Sequence, residues 1–225
     1  MIRFAIIGLC LPSMADAACR QALALGLDVS GSVDAEEYRL QLDGLAMALQ
    51  SERVQEVLFL QPAAPIIITV YEWSGPEDQK IILPWTALTG PPELTKAVTT
   101  LWSHQRSAAA PTTAIGSALL AGFALLNQQP NCWKRTLDLS GDGHANTGPR
   151  PQDISSTKMP DGVVVNGLVI DASTDAELAN YYKSYVIRGP GSFVEIAASF
   201  DDYAAAMERK LLRELESLAT GALDE

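Results

Sequence analysis

Histidine, cysteine and clustered basic residues are what this sequence has least of. His104 and His144 are its only histidines, and its three cysteines form no C-x-x-C pair. A zinc site, which favours nitrogen and sulfur ligands, therefore has too few donors. Lys and Arg number 16 against 27 Asp and Glu, giving a formal charge of −11 with no basic run. Nucleic acids and anionic membranes are poor partners for such a surface. Taken alone, the acidity means solubility. No apolar run is long enough to span a bilayer as a helix. The phosphate loop G-x-x-x-x-G-K-[ST], the nucleophile elbow G-x-S-x-G and a D-x-D-x-T acceptor are all absent. Gly189-Pro190-Gly191 has no G-K-[ST] after it and reads as a tight loop.

The first seventeen residues read as an export signal. Arg3 supplies the positive start, Phe4 to Leu11 the apolar core, and Ala15-Asp16-Ala17 the cleavage site, with cleavage after Ala17. Bulky Leu9 precedes Cys10, which argues against a lipid attachment there. The expected location is periplasmic or secreted. Residues 18–219 suit one sizeable α/β domain, and 220–225 a frayed tail. Cys19 and Cys132 remain after cleavage, each just upstream of an apolar strand. An oxidising compartment permits a bridge between them, with two free thiols as the alternative. If the two strands are parallel neighbours, the sulfurs share one end of the sheet. The loop so closed is nominally worth about 4–5 kcal/mol in the chain-entropy model.

Strand-like and helix-like segments alternate along the chain. Strands are expected at 21–29, 66–73, 80–85, 135–140, 163–170 and 192–196, the second and third forming a hairpin at a sheet edge. Asp34 caps a helix, with Glu37 completing a capping box and Tyr38, Leu42, Leu45 and Leu49 as its apolar stripe. Further helices are expected from Pro91 to Trp102, from Thr113 to just before Pro130, from Ala176 to Tyr185 and from Asp201 to Leu218. The stripe of the Thr113 helix is Ile115, Leu119, Gly122 and Leu126, and that of the last is Ala204, Met207, Leu211, Leu215 and Leu218. This order predicts a Rossmann-like, doubly wound α/β fold. Its sheet is six-stranded and mostly parallel, with one antiparallel edge strand and helices on both faces.

Ligands in such sheets bind beyond the carboxyl ends of the strands, at the switch point. Asp28-Val29-Ser30-Gly31-Ser32 and Leu139-Ser140-Gly141-Asp142-Gly143 both sit at such ends, and Thr112-Thr113-Ala114-Ile115-Gly116 opens a helix. Together they offer two carboxylates and several hydroxyls, a hard oxygen set suited to a cation such as Mg²⁺. The ordered set D-x-S-x-S, then T, then D-G resembles the metal-ion-dependent adhesion site (MIDAS) of von Willebrand factor type A domains. Glu72-Trp73-Ser74-Gly75, with Asp28 to Glu37, Thr113 to Gly116 and Ser140 to Gly143, is similar to an uncharacterised bacterial group of exported proteins with this domain. The resemblance implies that Ser30, Ser32 and Thr113 ligate the metal. Asp28 and Asp142 act mainly through waters or hydrogen bonds, Asp142 being able to approach directly. Mg²⁺ is the expected ion, with Mn²⁺ or Ca²⁺ as alternatives. The family has Gly before its Thr ligand. Here Thr112 stands there, which leaves Thr112 as the alternative to Thr113, and spacing to Gly116 favours Thr113.

The resemblance implies a non-enzymatic binding module that engages a protein partner's Asp or Glu carboxylate through the bound cation. A metal-dependent phosphoester hydrolase and a scaffold with a non-functional site are the alternatives, the first lacking a His base beside Ser30. His144 reads as a rim-loop residue. Trp73 at its strand end lines the site or belongs to the core, and Trp85, Trp102 and Trp133 are read as core by default. Tyr181, Tyr182 and Tyr185 include core-facing members of a helix stripe. The Ser103–Pro111 loop is a connector or a partner-reading segment.

Overall fold

In β1 (Cys19–Asp28) the period of two decides which side chains meet which layer. The computed structural model describes residues 19–171 and 176–216. Within it, Leu23, Leu25 and Leu27 face one apolar core, and Ala22 and Ala24 face a second. The second face is built from small residues because its neighbours lie close. A Cβ on Gly26 would stand 2.7 Å from the Tyr71 ring and 2.8 Å from Leu139. The Tyr71 hydroxyl crosses that space to donate to the Ala118 carbonyl at 2.8 Å.

After β1 come α1 (Ala35–Gln50), α2 (Glu52–Leu58), β2 (Ile66–Trp73), β3 (Gln79–Leu88), α3 (Pro91–Ser103), α4 (Ile115–Leu126) and β4 (Cys132–Gly141). Then follow β5 (Val163–Ile170), α5 (Glu177–Tyr181), a π-helical turn at Tyr182–Val186, β6 (Val194–Ala197) and α6 (Tyr203–Glu216). The six strands form one sheet in the order β3-β2-β1-β4-β5-β6. Only β3, at the edge, is antiparallel to its neighbour. Helices α1, α3 and α6 cover the leucine face of β1, and α4 and α5 cover the alanine face. Strand order reverses between β1 and β4, which places the switch point at Asp28 and Asp142.

The expected architecture is therefore present. The Asp34–Glu37 capping box forms, Asp34 accepting from Glu36 and Glu37 N–H. Helix α2 was not foreseen. It is short, capped by Ser51, and buries only Val54 and Leu58, too little for a visible stripe. Helix α4 starts at Ile115, two residues after the expected Thr113. Residues 200–202 form a 3₁₀ turn before α6, and Ala204 is only half-buried while Met207, Leu211 and Leu215 are fully buried. Trp102 and Trp133 are largely exposed, contrary to a core reading. The expected export segment 1–17, the tail 220–225 and Leu218 lie outside the described residues. No helix among the described residues is long and apolar enough to cross a membrane.

One covalent and one ionic tie hold β4 to its neighbours. Cys19 and Cys132 are register partners in the β1–β4 pair and form a disulfide, with Cα atoms 4.4 Å apart. On α6, Lys210 is wholly buried and reaches Asp138 of β4 at 2.7 Å and Glu214 at 2.6 Å. Asn166 of β5 also donates to Glu214, at 2.6 Å. Burial pushes the Asp138 carboxyl up, against the pull of Lys210. Burial alone lowers the Lys210 ammonium, but its two carboxylate partners outweigh that and hold it above its usual value.

Replacing one member of such a triad leaves an uncompensated buried charge. Lys210→Met is expected to lower stability by about 3–5 kcal/mol, read from urea denaturation. A Cys19→Ser/Cys132→Ser double variant is expected to lose about 2–5 kcal/mol in the same measurement.

Candidate metal centre

The carboxyl end of β1 leaves the sheet in a fixed turn. Asp28 has no exposed surface, and its Oδ1 accepts the Ser30 N–H at 2.8 Å. Its carbonyl accepts Gln41 Nε2 of α1 at 3.0 Å. Val29 N–H continues the β2 ladder by donating to the Trp73 carbonyl at 2.9 Å. Gly31 N–H donates to the Pro111 carbonyl at 3.0 Å, and a Cβ on Gly31 would lie 2.8 Å from Pro111 Cβ. Glycine is thus what lets the Pro111 segment press against this turn.

Arg106 holds the turn from the other side. Its guanidinium donates to the carbonyls of Val33 at 2.7 Å, Val29 at 2.7 Å and Ser30 at 3.0 Å. It also lies over the Tyr38 ring, 5.8 Å from the centroid. The Tyr38 hydroxyl donates to buried Glu72 at 2.5 Å, and His104 Nε2 sits 3.2 Å from the same oxygen. The Ser103–Pro111 loop is therefore a clamp on the D-x-S-x-S turn. Arg106 and Glu72 gave no sign of this in the sequence, because each partner is distant along the chain.

Ser30, Ser32 and Asp142 come together. Ser30 Oγ and Ser32 Oγ are 3.3 Å apart, and Ser32 Oγ donates to Asp142 Oδ1 at 2.8 Å. Asp28 and Ser30 are buried while Ser32 is exposed, so the oxygens run from a closed floor to an open lip. Thr113 is 5 % exposed. Its N–H donates to Asn146 Oδ1 at 2.9 Å, its carbonyl accepts Asn146 N–H at 3.0 Å, and its hydroxyl accepts Asn146 Nδ2 at 3.5 Å. Asn146 thus ties Thr113 to the loop that follows Asp142. Thr112 lies against the β2–β3 turn, its hydroxyl 3.3 Å from where a Gly75 Cβ would be. Gly116 admits that post-Asp142 loop: a Cβ there would meet the Pro149 carbonyl at 1.9 Å. Asn146 is a site-building residue that the sequence did not single out.

Two anions meet here without a cation. Among the described residues no Lys or Arg pairs with Asp28 or Asp142, and Asp28 Oδ2 is buried with no hydrogen-bond partner. Burial pushes the Asp28 carboxyl up to about 7, and the nearby Asp142 charge adds to it. The Ser30 N–H and hydroxyl and the Asp142 N–H pull the other way. Two carboxylates without a basic partner, one of them buried, on and beside a turn carrying two hydroxyls make a donor set that fits a hard divalent cation. Among the described residues no three His, Cys, Asp or Glu side chains form a metal cluster. The set here has two carboxylates, its other donors being hydroxyls. A groove of about 480 Å³ adjoins it, bounded by Asp142, Asp34, Glu36, Glu37, Leu40, Phe200 and Asp201.

The chain resembles several solved structures. Proximal thread matrix protein 1 from the mussel byssus is 17 % identical with a TM-score of 0.63, covering 91 % of this chain and 49 % of that one. A further structure of that protein is described as having a zinc-occupied MIDAS motif (18 % identity, TM-score 0.62, covering 91 % and 49 %). A von Willebrand factor type A protein from Catenulispora acidiphila is 12 % identical, with a TM-score of 0.60, covering 89 % and 43 %. This chain spans less than half the length of each. No curated protein sequence matches it. The likeness shows that the fold is that of von Willebrand factor type A domains. The DUF1194 family model, described as a protein of unknown function, matches residues 18–219, and the chain belongs to that family.

Proposed function

We propose that this protein is an exported binding module that holds a divalent cation and through it grips an acidic side chain of a protein partner. Asp28, Ser30, Ser32, Thr113 and Asp142 are the residues assigned to the cation. Mg²⁺ is the ion best matched to an all-oxygen set, with Mn²⁺ or Ca²⁺ as substitutes. The observation that carries this reading is the run of oxygens Ser30, Ser32 and Asp142 on a turn bonded to the buried carboxylate of Asp28, with which no Lys or Arg among the described residues pairs. Neutral hydroxyls add no charge, so two carboxylates and one dication leave the ion able to attract a further anion. The open lip at Ser32 gives that anion a way in. The zinc-occupied motif of the mussel protein supports a divalent ion in this fold. The Cys19–Cys132 disulfide supports an oxidising compartment outside the cytosol.

Adding Mg²⁺ or Mn²⁺ at about a hundred times its Kd is expected to raise the wild-type Tm by roughly 5–10 °C. An Asp28→Ala/Ser30→Ala variant is expected not to respond; equal shifts in both proteins would sink the assignment. A pull-down from a periplasmic extract, with and without chelator, tests for the partner.

Proton linkage gives an independent measurement in the metal-free protein. The folded Asp28 pKa of about 7 lies above the ordinary unfolded value, so the folded state binds the extra proton between these two values. Stability in chelator is therefore expected to be greatest in acid and to fall as pH rises through 7, by a few kcal/mol in order of magnitude. Asp28→Asn is expected to reduce that fall, the part due to buried Asp138 remaining, as read from urea denaturation at pH 5, 6, 7 and 8.

A further inference from the structure

The turn that brings Ser30 and Ser32 to the metal cup is bridged by one side chain from elsewhere in the chain. The two terminal nitrogens of Arg106 take different ends of it. Nη1 donates to the Val33 carbonyl at 2.7 Å, and Nη2 to the carbonyls of Val29 at 2.7 Å and Ser30 at 3.0 Å. Both hydroxyls therefore ride on a stretch of backbone, 29–33, closed across its ends by a rigid planar fork. The rest of the stretch is tied as well. The Ser30 N–H donates to Asp28 Oδ1 at 2.8 Å, the Val33 N–H to the Ser30 carbonyl at 3.2 Å and the Gly31 N–H to the Pro111 carbonyl at 3.0 Å. Arg106 is itself seated over the Tyr38 ring, whose hydroxyl is bonded to buried Glu72. Its loop is anchored to α1, where Arg39 donates to the His104 carbonyl at 3.0 Å. The hydrogen bonds of Arg106 go to backbone carbonyls, so it acts on the shape of the turn and adds no donor to the cup.

We propose that Arg106 is a positioning residue of the metal centre and determines which cation the centre takes. Mg²⁺, about 2.0–2.1 Å from its oxygens, demands near-ideal octahedral geometry, whereas Ca²⁺, at about 2.3–2.6 Å, accepts larger and more adaptable sets. Flexibility of the site is thus one of the terms that separate the two ions. Fixing the backbone under Ser30 and Ser32 removes the adaptability that Ca²⁺ exploits. It also spares Mg²⁺ the entropy of ordering the turn. The charge of Arg106 works the other way, since a nearby cation disfavours both dications alike. Geometry distinguishes the ions and charge does not. The inference rests on the metal reading above.

Arg106→Lys separates these effects, because it keeps the charge and loses the fork. Mg²⁺ affinity, read by calorimetric titration, is expected to fall by about 10–100-fold, the range for lost outer partners at other metal sites. Ca²⁺ affinity is expected to fall by less, which moves the ratio of the two toward Ca²⁺. Gly31→Ala loosens the same turn from its other side, where the added Cβ would lie 2.8 Å from Pro111 Cβ, and is expected to move the ratio in the same direction. In chelator, the Gly31 and Val33 amides of Arg106→Lys are expected to exchange hydrogen faster than those of the wild type. Unchanged affinities in Arg106→Lys, alongside lost binding in Ser30→Ala, would overturn the positioning role and leave the cup standing. An equal fall for both ions would also overturn it, marking Arg106 as a support of the fold alone. A wild type that binds neither ion would overturn both readings.

Discussion

Asp28 is a carboxylate with no exposed surface, placed where the strand order reverses and left without a basic partner among the described residues. Burying such a charge is costly unless something compensates it. The surroundings compensate in part. The Ser30 N–H takes one oxygen, and Gln41 ties down the Asp28 carbonyl. The second oxygen is left for another partner. The turn that carries Ser30 and Ser32 is bound to this carboxylate, clamped by Arg106 and pressed by Pro111. The geometry of the hydroxyls is thus inherited from the constraint on Asp28. Asp138, a second buried acid further back along β4, is treated differently. Lys210 lies 2.7 Å from it and 2.6 Å from Glu214, an ionic tie that holds α6 to the sheet. Asp138 thus has a buried cation of this chain beside it, whereas no Lys or Arg among the described residues pairs with Asp28.

The β1–β4 pair is the spine on which both ends are hung. At its start the register sets Cys19 opposite Cys132, and the disulfide locks that register covalently. A slip of one residue would move Leu23, Leu25 and Leu27 to the wrong core. At its finish the same register sets the turn after Asp28 beside Asp142, whose carboxylate accepts the Ser32 hydroxyl. The far end of the sheet therefore protects the alignment that the near end depends on. Tight approaches reinforce it: Gly26, Gly122 and Gly141 each stand where a Cβ would strike a neighbour on the α4 and α5 side.

Local chemistry made most of the fold legible in the sequence. The β1 run, the Asp34–Glu37 box and the stripes of α1 and α4 are written in neighbouring residues, and they stand in the structure as read. The convergence of the Ser30–Ser32 turn with Asp142 was readable from strand order. Long-range compensation was not readable. Lys210 and Glu214 look like a surface pair four residues apart on an amphipathic helix, yet Asp138 draws them into the core. Arg106 and Asn146 sit in polar loops, and only folding brings them to Ser30 and Thr113. Trp102 and Trp133 misled in the opposite sense, since size alone does not bury a ring.

The acidic groove beside the cup bears on how such a site discriminates. Asp34, Glu36, Glu37 and Asp201 line it together with Asp142. An approaching carboxylate meets like charges there, felt over a Debye length of about 8 Å at physiological salt. In the metal-free protein the lip is therefore repulsive to the anion that the proposed function requires. Under the proposed function, a dication between Asp28 and Asp142 would change the sign only locally, because Ser30, Ser32 and Thr113 are neutral and the surrounding acids remain. Attraction would then be confined to a few ångströms around the ion. A carboxylate would be held only where one of its oxygens entered that short radius, and diffuse negative charge on the same partner would be turned away. The surplus of acid that by itself signals solubility would then act, at this one edge, as a filter on what a bound cation could reach.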